Sequence, residues 1–348
     1  MKKIVSILLT MILLVVIVTG CAAPAQPTVD TPAADTSDSA AVVDEKPAVD
    51  TSEEYVFVTA LMNLEYFQQH RQAVEDAAAD MGVVGYMAGS NEYDANEMIK
   101  VFETLIQKGV AGIITPAHFP DVYKDLFEKA WQAGIPVATV TLGIPDSRQL
   151  CFFGTDYVTY GYTMAATLSE AIGGSGKVLV SQNLTGGGQP AWDIVEGINK
   201  FAAENPGFNV LEPLQDDSDS AVAARVIGAA LQANPDTAGI IGCQSASGVG
   251  AVTALREAGM LGQVKVVSID KDLPTLEAVK AGDIHATVCG KQYTEVYYAT
   301  KFLYDYNHGN LKLLKNTDYH GLGISPLPSY VDTGAMVVTA DNVDAFLP

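Results

Sequence analysis

Short β-branched and aromatic runs alternate along this chain with stretches whose apolar residues recur three and four apart. A continuously apolar run suits a strand buried on both faces, and the three-four spacing suits one face of a helix. A first series predicts strands at Tyr55–Ala60, Val83–Ala88, Ala111–Thr115, Pro136–Thr141 and Cys151–Phe153. Helices are predicted between them, over Tyr66–Met81 with Phe67, Val74, Ala78 and Met81 on one face, over Asn96–Lys108, and over Asp121–Ala133. Gly134 and Pro136 stop the last of these, since proline cannot extend a helix. A second series predicts helix Tyr157–Ile172, strand Lys177–Ser181, helix Ala191–Glu204, strand Asn209–Leu214 and helix Ala221–Ala233. Strand Ala238–Gly242, helix Gly248–Ala258, strand Lys265–Asp270, helix Pro274–Ala281, strand His285–Cys289 and helix Glu295–Tyr306 complete it. Beyond Leu311 only a short strand near Ala335–Thr339 is expected. Strands alternating with helices through short connections argue for parallel sheets covered on both faces. Two such series predict an α/β chain of two doubly wound, Rossmann-like lobes. Ligands of such sheets bind outside the carboxyl ends of the strands, and two lobes can face those ends across a cleft.

The amino terminus follows another pattern. Met1-Lys2-Lys3 precedes an apolar run from Ile4 to Val18, shorter than the roughly 20 residues of a membrane span, which reads as a secretory signal. Val18-Thr19-Gly20-Cys21 resembles the lipobox of bacterial lipoproteins, and implies cleavage before Cys21 with a diacylglycerol thioether on its sulfur. Dual acylation holds a protein on a membrane where one chain does not. From there to Glu54 the chain is rich in Ala, Pro, Thr and Ser and carries eight acidic residues against Lys46 alone. Such a segment cannot bury enough apolar surface to order itself, and reads as a stalk.

A formal charge of −21 argues against nucleic acid and against acidic lipid surfaces. With Cys21 lipidated, Cys151, Cys243 and Cys289 remain, each in or ending an apolar run, and read as buried thiols. Gly186-Gly187-Gly188 lacks the Gly-Lys-Ser/Thr ending of a phosphate loop. Asp216-Asp217-Ser218-Asp219 lacks the glycine and closing glutamate of a calcium loop and reads as a solvated turn capping the next helix. His70, His118, His285, His308 and His320 show no metal-ligand spacing, and no nucleophile elbow occurs. No catalytic constellation is found, so no enzyme, metal or cofactor is expected.

From Tyr55 to about Asn310 the chain resembles the type I periplasmic-binding-protein-like superfamily, the ribose- and galactose-binding group of ABC-transporter receptors. The likeness is carried by Tyr66-Phe67, Gly134-Ile135-Pro136-Val137, Gly154-Thr155-Asp156, Glu196-Gly197-Ile198, Val266-Val267-Ser268-Ile269-Asp270 and Glu277-Ala278-Val279-Lys280-Ala281-Gly282, in that order. It implies three crossovers between lobes, near Asp156, near Gly290 and within 310–330, forming a hinge that ligand closes. On this basis residues 1–20 are a signal peptide and 21–54 a linker. Residues 55–155 with about 291–325 form a first lobe, and 156–290 with about 326–348 a second.

The sequence departs from the resemblance where sugar receptors carry charge. The family's Asp-Arg at the end of the fourth strand is replaced by Thr141-Leu142, and a common Arg of the second lobe falls at Trp192. An Asn-Asp pair becomes Gln244-Ser245, and a frequent Gln of the second crossover falls at Gly290, with Lys291 beside it, while Asp270 keeps its place. The candidate ligand residues are Asn63, Tyr66, Phe67, His118 and Thr141 from the first lobe, with Gln189, Trp192, Gln244, Asp270 and Lys291 from the second. Each has a plainer use. Phe67 serves either the core face of its helix or the ligand, Trp192 the cleft or a helix cap, Asp270 the ligand or a cap, and His118 is a loop histidine. The resemblance implies a monomeric, lipid-anchored solute-binding protein that delivers a sugar-like or polyol ligand to an ABC permease. The alternative is a receptor that presents its closed form to a histidine kinase or chemoreceptor.

Overall fold

The computed structural model describes residues 50–315 and 318–347. The expected signal peptide, Cys21 and the linker as far as Val49 lie outside the described residues. In chain order come β1 (Asp50–Thr59), a 3₁₀ turn at Glu65–Phe67, α1 (Gln68–Met81), β2 (Val83–Gly89), α2 (Ala95–Lys108) and β3 (Gly112–Thr115). α3 (Pro120–Gln132), β4 (Val137–Val140) and β5 (Gln149–Phe153) follow. The second series comprises α4 (Tyr157–Ala171), β6 (Gly176–Gln182), α5 (Gly188–Glu204), β7 (Phe208–Val210), β8 (Leu214–Gln215), α6 (Ser220–Ala233) and β9 (Thr237–Gly242). It continues with α7 (Ser245–Glu257), β10 (Lys265–Ile269), α8 (Leu273–Ala281) and β11 (Ala286–Cys289). α9 (Gln292–Asn307), α10 (Tyr319–Leu322), β12 (Tyr330–Val331) and β13 (Met336–Thr339) close the chain.

Among the described residues the strands form two sheets. One runs β12-β5-β4-β3-β1-β2, with every pairing parallel. The other runs β13-β11-β10-β9-β6-β7, with β8 also on β6 and only β13 antiparallel. The period of two sorts each buried strand between two cores. Tyr55 and Phe57 of β1 pack with α1 and α9, while Val56 and Val58 pack with α2 and α3. In the second sheet Val178, Val180 and Val267 face α4 and α5, and Leu179, Ile240 and Val266 face α6 and α7. α4 and α5 cross closely because glycines stand at the crossing. A Cβ on Gly197 would lie 1.9 Å from Val158 O, and one on Gly161 1.9 Å from Ile194 O.

Four expectations change. β1 begins within the stretch read as stalk, since Asp50 pairs with Val83 and Glu54 with Val84. The strand expected at Asn209–Leu214 is two short strands, broken around Pro213, whose missing N–H cannot join a ladder. Tyr330 and Val331 pair with Phe152 and Phe153, so β12 joins the first sheet. The third crossing between sheets therefore falls at 332–335, after the expected 310–330 and inside the stretch assigned to the second lobe. In the Asp216–Asp219 run, Asp219 does cap α6 by accepting from Ala221 and Val222 N, but Asp216 is fully buried, not solvated. Cys151, Cys243 and Cys289 are buried free thiols.

Candidate ligand site between the two sheets

The carboxyl ends of β4 and β10, the 3₁₀ turn after β1, and the opening turns of α4 and α9 surround a cavity of ≈ 40 Å³. Its lining is Tyr66, Thr141, Thr155, Tyr157, Tyr160, Ile269, Asp270, Gln292 and Glu295. Each sheet contributes the residue just past a central strand, and both take the left-handed backbone, Thr141 at φ 60° and Asp270 at φ 70°. That region is costly for a residue with a Cβ and persists where the surroundings enforce it, commonly at functional sites. Here the neighbouring strand enforces it: Thr141 N donates to Phe153 O at 3.1 Å, and Asp270 N to Val288 O at 3.0 Å. Thr287 Oγ1 also donates to Asp270 O at 2.6 Å.

Two carboxyls reach this space. Glu295, in the first turn of α9, is 3% exposed and accepts from Thr141 Oγ1 at 2.9 Å. Burial pushes its carboxyl up to about 7, against the pull of that hydrogen bond. Asp270 accepts from Ser245 Oγ at 3.1 Å, and burial again raises its carboxyl above the usual range. Burial likewise raises the hydroxyls of Tyr66, Tyr157 and Tyr160, so all three stay protonated at neutral pH. Gln292 is buried; its Nε2 donates to Tyr66 Oη at 3.5 Å, and its Oε1 meets no donor among the described residues. Gly290, at the second crossover, gives Tyr160 room: a Cβ there would stand 2.6 Å from Tyr160 Oη. Thr155 Oγ1 donates to Asp332 Oδ1 at 2.9 Å and so ties the first crossover to the third. Across the cleft, Lys271 Nζ donates to Gln69 Oε1 at 2.6 Å.

Of the residues named from sequence, Tyr66, Thr141 and Asp270 line the cavity and seven do not. Phe67 is 4% exposed and packs in the first lobe's core. His118 packs edge-on to Phe67 and Tyr93, with Nε2 3.2 Å from Thr59 Oγ1, and burial holds its pKa down at about 4. Asn63 is exposed, and Lys291 precedes α9 as its cap residue. Trp192 is 52% exposed on the first turn of α5, and Gln189 Nε2 donates to Asp193 Oδ1 beside it at 2.6 Å. Gln244 caps α7 and donates from Nε2 to Gln182 Oε1 at 2.8 Å. The Gly186–Gly188 loop is held by Asn183, whose Oδ1 accepts from Gly186 N at 2.8 Å. Thr155, Tyr157, Tyr160, Gln292 and Glu295 were not anticipated. Gln292 had a signal, for the glutamine expected at the second crossover stands two residues past Gly290.

A profile of the periplasmic binding protein domain matches residues 55–311. The chain belongs to the periplasmic binding protein family. The xylitol-binding protein of Mycolicibacterium smegmatis is 26% identical over 214 residues, 61% of this chain and 60% of that protein's length. The ribose import binding protein RbsB of Salmonella typhimurium is 26% identical over 231 residues, 66% of this chain and 77% of its own. Among solved structures, AraP, an arabinose binding protein from Geobacillus stearothermophilus, superposes with a TM-score of 0.78 at 29% identity, covering 85% of this chain and 99% of that one. The sugar-binding protein of a sugar ABC transporter from Bacillus halodurans gives 0.77 at 31% identity, covering 84% and 100%. As a periplasmic binding protein the chain is a solute-binding protein and not an enzyme. Among its described residues no helix is long and apolar enough to cross a membrane.

Proposed function

We propose that this periplasmic binding protein is an extracytoplasmic lipoprotein that captures a small polyhydroxylated solute between its lobes and delivers it to an ABC permease. The observation that carries the reading is the cavity itself, into which both sheets direct a strained strand-end residue, Thr141 from one and Asp270 from the other. A ligand gripped by both favours the closed arrangement over the open one by its differential contacts. Asp270, Gln292 and Glu295 fix hydroxyl directions, and the tyrosine rings cover C–H faces. At ≈ 40 Å³ the cavity is small for a sugar, so the lobes part at the three crossovers to admit a solute. The names of the xylitol, ribose and arabinose binding relatives support pentoses and polyols as the first candidates. The signal at residues 1–20 and the Val18–Cys21 lipobox supply the route out of the cytoplasm and the anchor, with the acidic stalk as a spacer.

The test is a thermal-shift screen of the purified protein against pentoses, hexoses, polyols, deoxysugars, nucleosides and amino acids. A dose-dependent rise of several degrees with one polyhydroxylated class is expected, because a ligand that binds only the folded state stabilises it. A response confined to nucleosides or amino acids overturns the ligand class. Cys21→Ser is expected to release the protein from the membrane fraction; retention overturns the anchor. Co-purification from membranes is expected to recover a permease. Recovery of a histidine kinase in its place exchanges transport for sensing.

A further inference from the structure

Charge in the cavity is one-sided. Asp270 and Glu295 bring two carboxyls into it, and among the described residues no Lys, Arg or His lines it. Among the described residues the side chains that donate to those carboxyls are hydroxyls, Ser245 Oγ on Asp270 and Thr141 Oγ1 on Glu295. Lys271, which acts on both from a distance, commits Nζ to Gln69 Oε1 at the cleft's edge. Gln292 adds a third acceptor: it is 4% exposed, and its Oε1 has no donor among the described residues. The cavity therefore holds two buried carboxyls with no cation in its lining and one amide oxygen without a donor, and an unmet buried acceptor or charge costs more than a typical hydrogen bond returns. The rings of Tyr66, Tyr157 and Tyr160 line the same space, and aromatic faces attract cations. A sugar hydroxyl offers one hydrogen and no charge. An ammonium group offers three hydrogens and the missing positive charge.

We infer that the solute carries a protonated amine, as an amino sugar or amino polyol does, whose ammonium group faces Asp270, Glu295 and Gln292 Oε1. This rests on the sugar-receptor reading above and narrows it. The remaining hydroxyls of such a solute match the tyrosine and threonine hydroxyls that complete the lining.

Isothermal titration of the full-length protein at neutral pH compares matched pairs, D-glucose with D-glucosamine and D-galactose with D-galactosamine, with putrescine as an amine that is no sugar. The amine of a pair is expected to bind about 30-fold more tightly or better, the scale of a buried charge pair. Glu295→Gln and Asp270→Asn are each expected to weaken the amine at least about tenfold more than its neutral partner. The wild-type preference decides the question even where a variant folds poorly. A neutral sugar binding as tightly as its amine overturns the inference and leaves the sugar receptor standing. A response to putrescine alone keeps the cation site and overturns the sugar reading. Silence from every compound overturns both.

Discussion

At the carboxyl ends of the first sheet the side chains behind the cleft are rings. Phe67 meets Phe57 at 6.2 Å between centroids, His70 stacks on Phe57 at 4.9 Å and 26°, and His118 stands edge-on to Phe67 at 5.9 Å. At the same ends of the second sheet they are amides, hydroxyls and a carboxyl. Ser181 Oγ donates to Asp216 at 2.7 Å, Ser247 Oγ donates to the same carboxyl, Gln244 Nε2 donates to Gln182, and Gln215 Nε2 to Asn183 at 2.9 Å. One lobe fixes its binding face by volume and the other by completed hydrogen bonds. The two fail differently. A ring removed leaves a void, whereas a carboxyl removed leaves hydroxyls without acceptors.

The largest effect expected from this contrast is in the first lobe. Phe67→Ala should lower the unfolding free energy by about 4 kcal/mol, the range for a buried phenylalanine. Its check is a urea titration with unchanged slope. A loss under about 1 kcal/mol would show that the neighbouring rings close the gap, and volume would no longer explain that face. In the second lobe, Asp216→Ala should cost about 3 kcal/mol by the same titration, because it strands the Ser181 and Ser247 hydroxyls and the Ser218 amide. An equal loss in Asp216→Leu, which fills the space without accepting, keeps hydrogen bonding as the cause. Recovery in that variant would move this face into the first lobe's class.

Glu295 sharpens the comparison at the seam between the faces. Between about pH 4.5 and 7 the folded protein keeps a proton on Glu295 that the unfolded chain has released. Stability therefore falls as pH rises through that window, by something on the order of 3 kcal/mol from this group. Glu295→Gln should remove that slope, so the difference in stability between variant and wild type widens from acid to neutral pH. Parallel curves for the two proteins would mean that Glu295 ionises in place without penalty.

What the sequence made legible follows from the distances over which its signals act. The strands of both sheets show as continuous apolar runs because each is buried on two sides, and Thr141 and Asp270 could be named because they end such runs. β12 could not, since two residues bounded by Pro328 and Gly334 carry no period, and they pair with β5 from far along the chain. Tyr157, Tyr160, Gln292 and Glu295 sit in first turns of helices that follow crossovers. There a polar or aromatic residue looks like capping or core until the hinge folds both turns onto one point. Trp192 shows the converse: an aromatic at a helix start looks like a cleft residue, and here it stands outside the cavity lining, half in solvent. Local pattern thus found the strand ends and missed what only the crossing of two lobes assembles.

The smallest expected effect concerns a hydrogen bond that joins the faces at their rim. Lys271 Nζ reaches Gln69 Oε1 from the opposite lobe at 2.6 Å, and Gln69 is exposed. A charge-assisted bond open to water returns only part of its strength, since both partners are hydrated when the lobes part and two flexible side chains are immobilised when they close. Lys271→Met keeps the stem and removes the charge, so it should weaken ligand binding about threefold, close to 0.6 kcal/mol, through faster release rather than slower capture. In the proposed capture the bond forms as the lobes close, after the solute is already between them. Stopped-flow tryptophan or tyrosine fluorescence separates the two rates. A loss beyond about tenfold would mean that Lys271 turns from Gln69 to the solute. It would then supply the positive charge that the cavity lining lacks, and the two lobes would differ less than their resting contacts suggest.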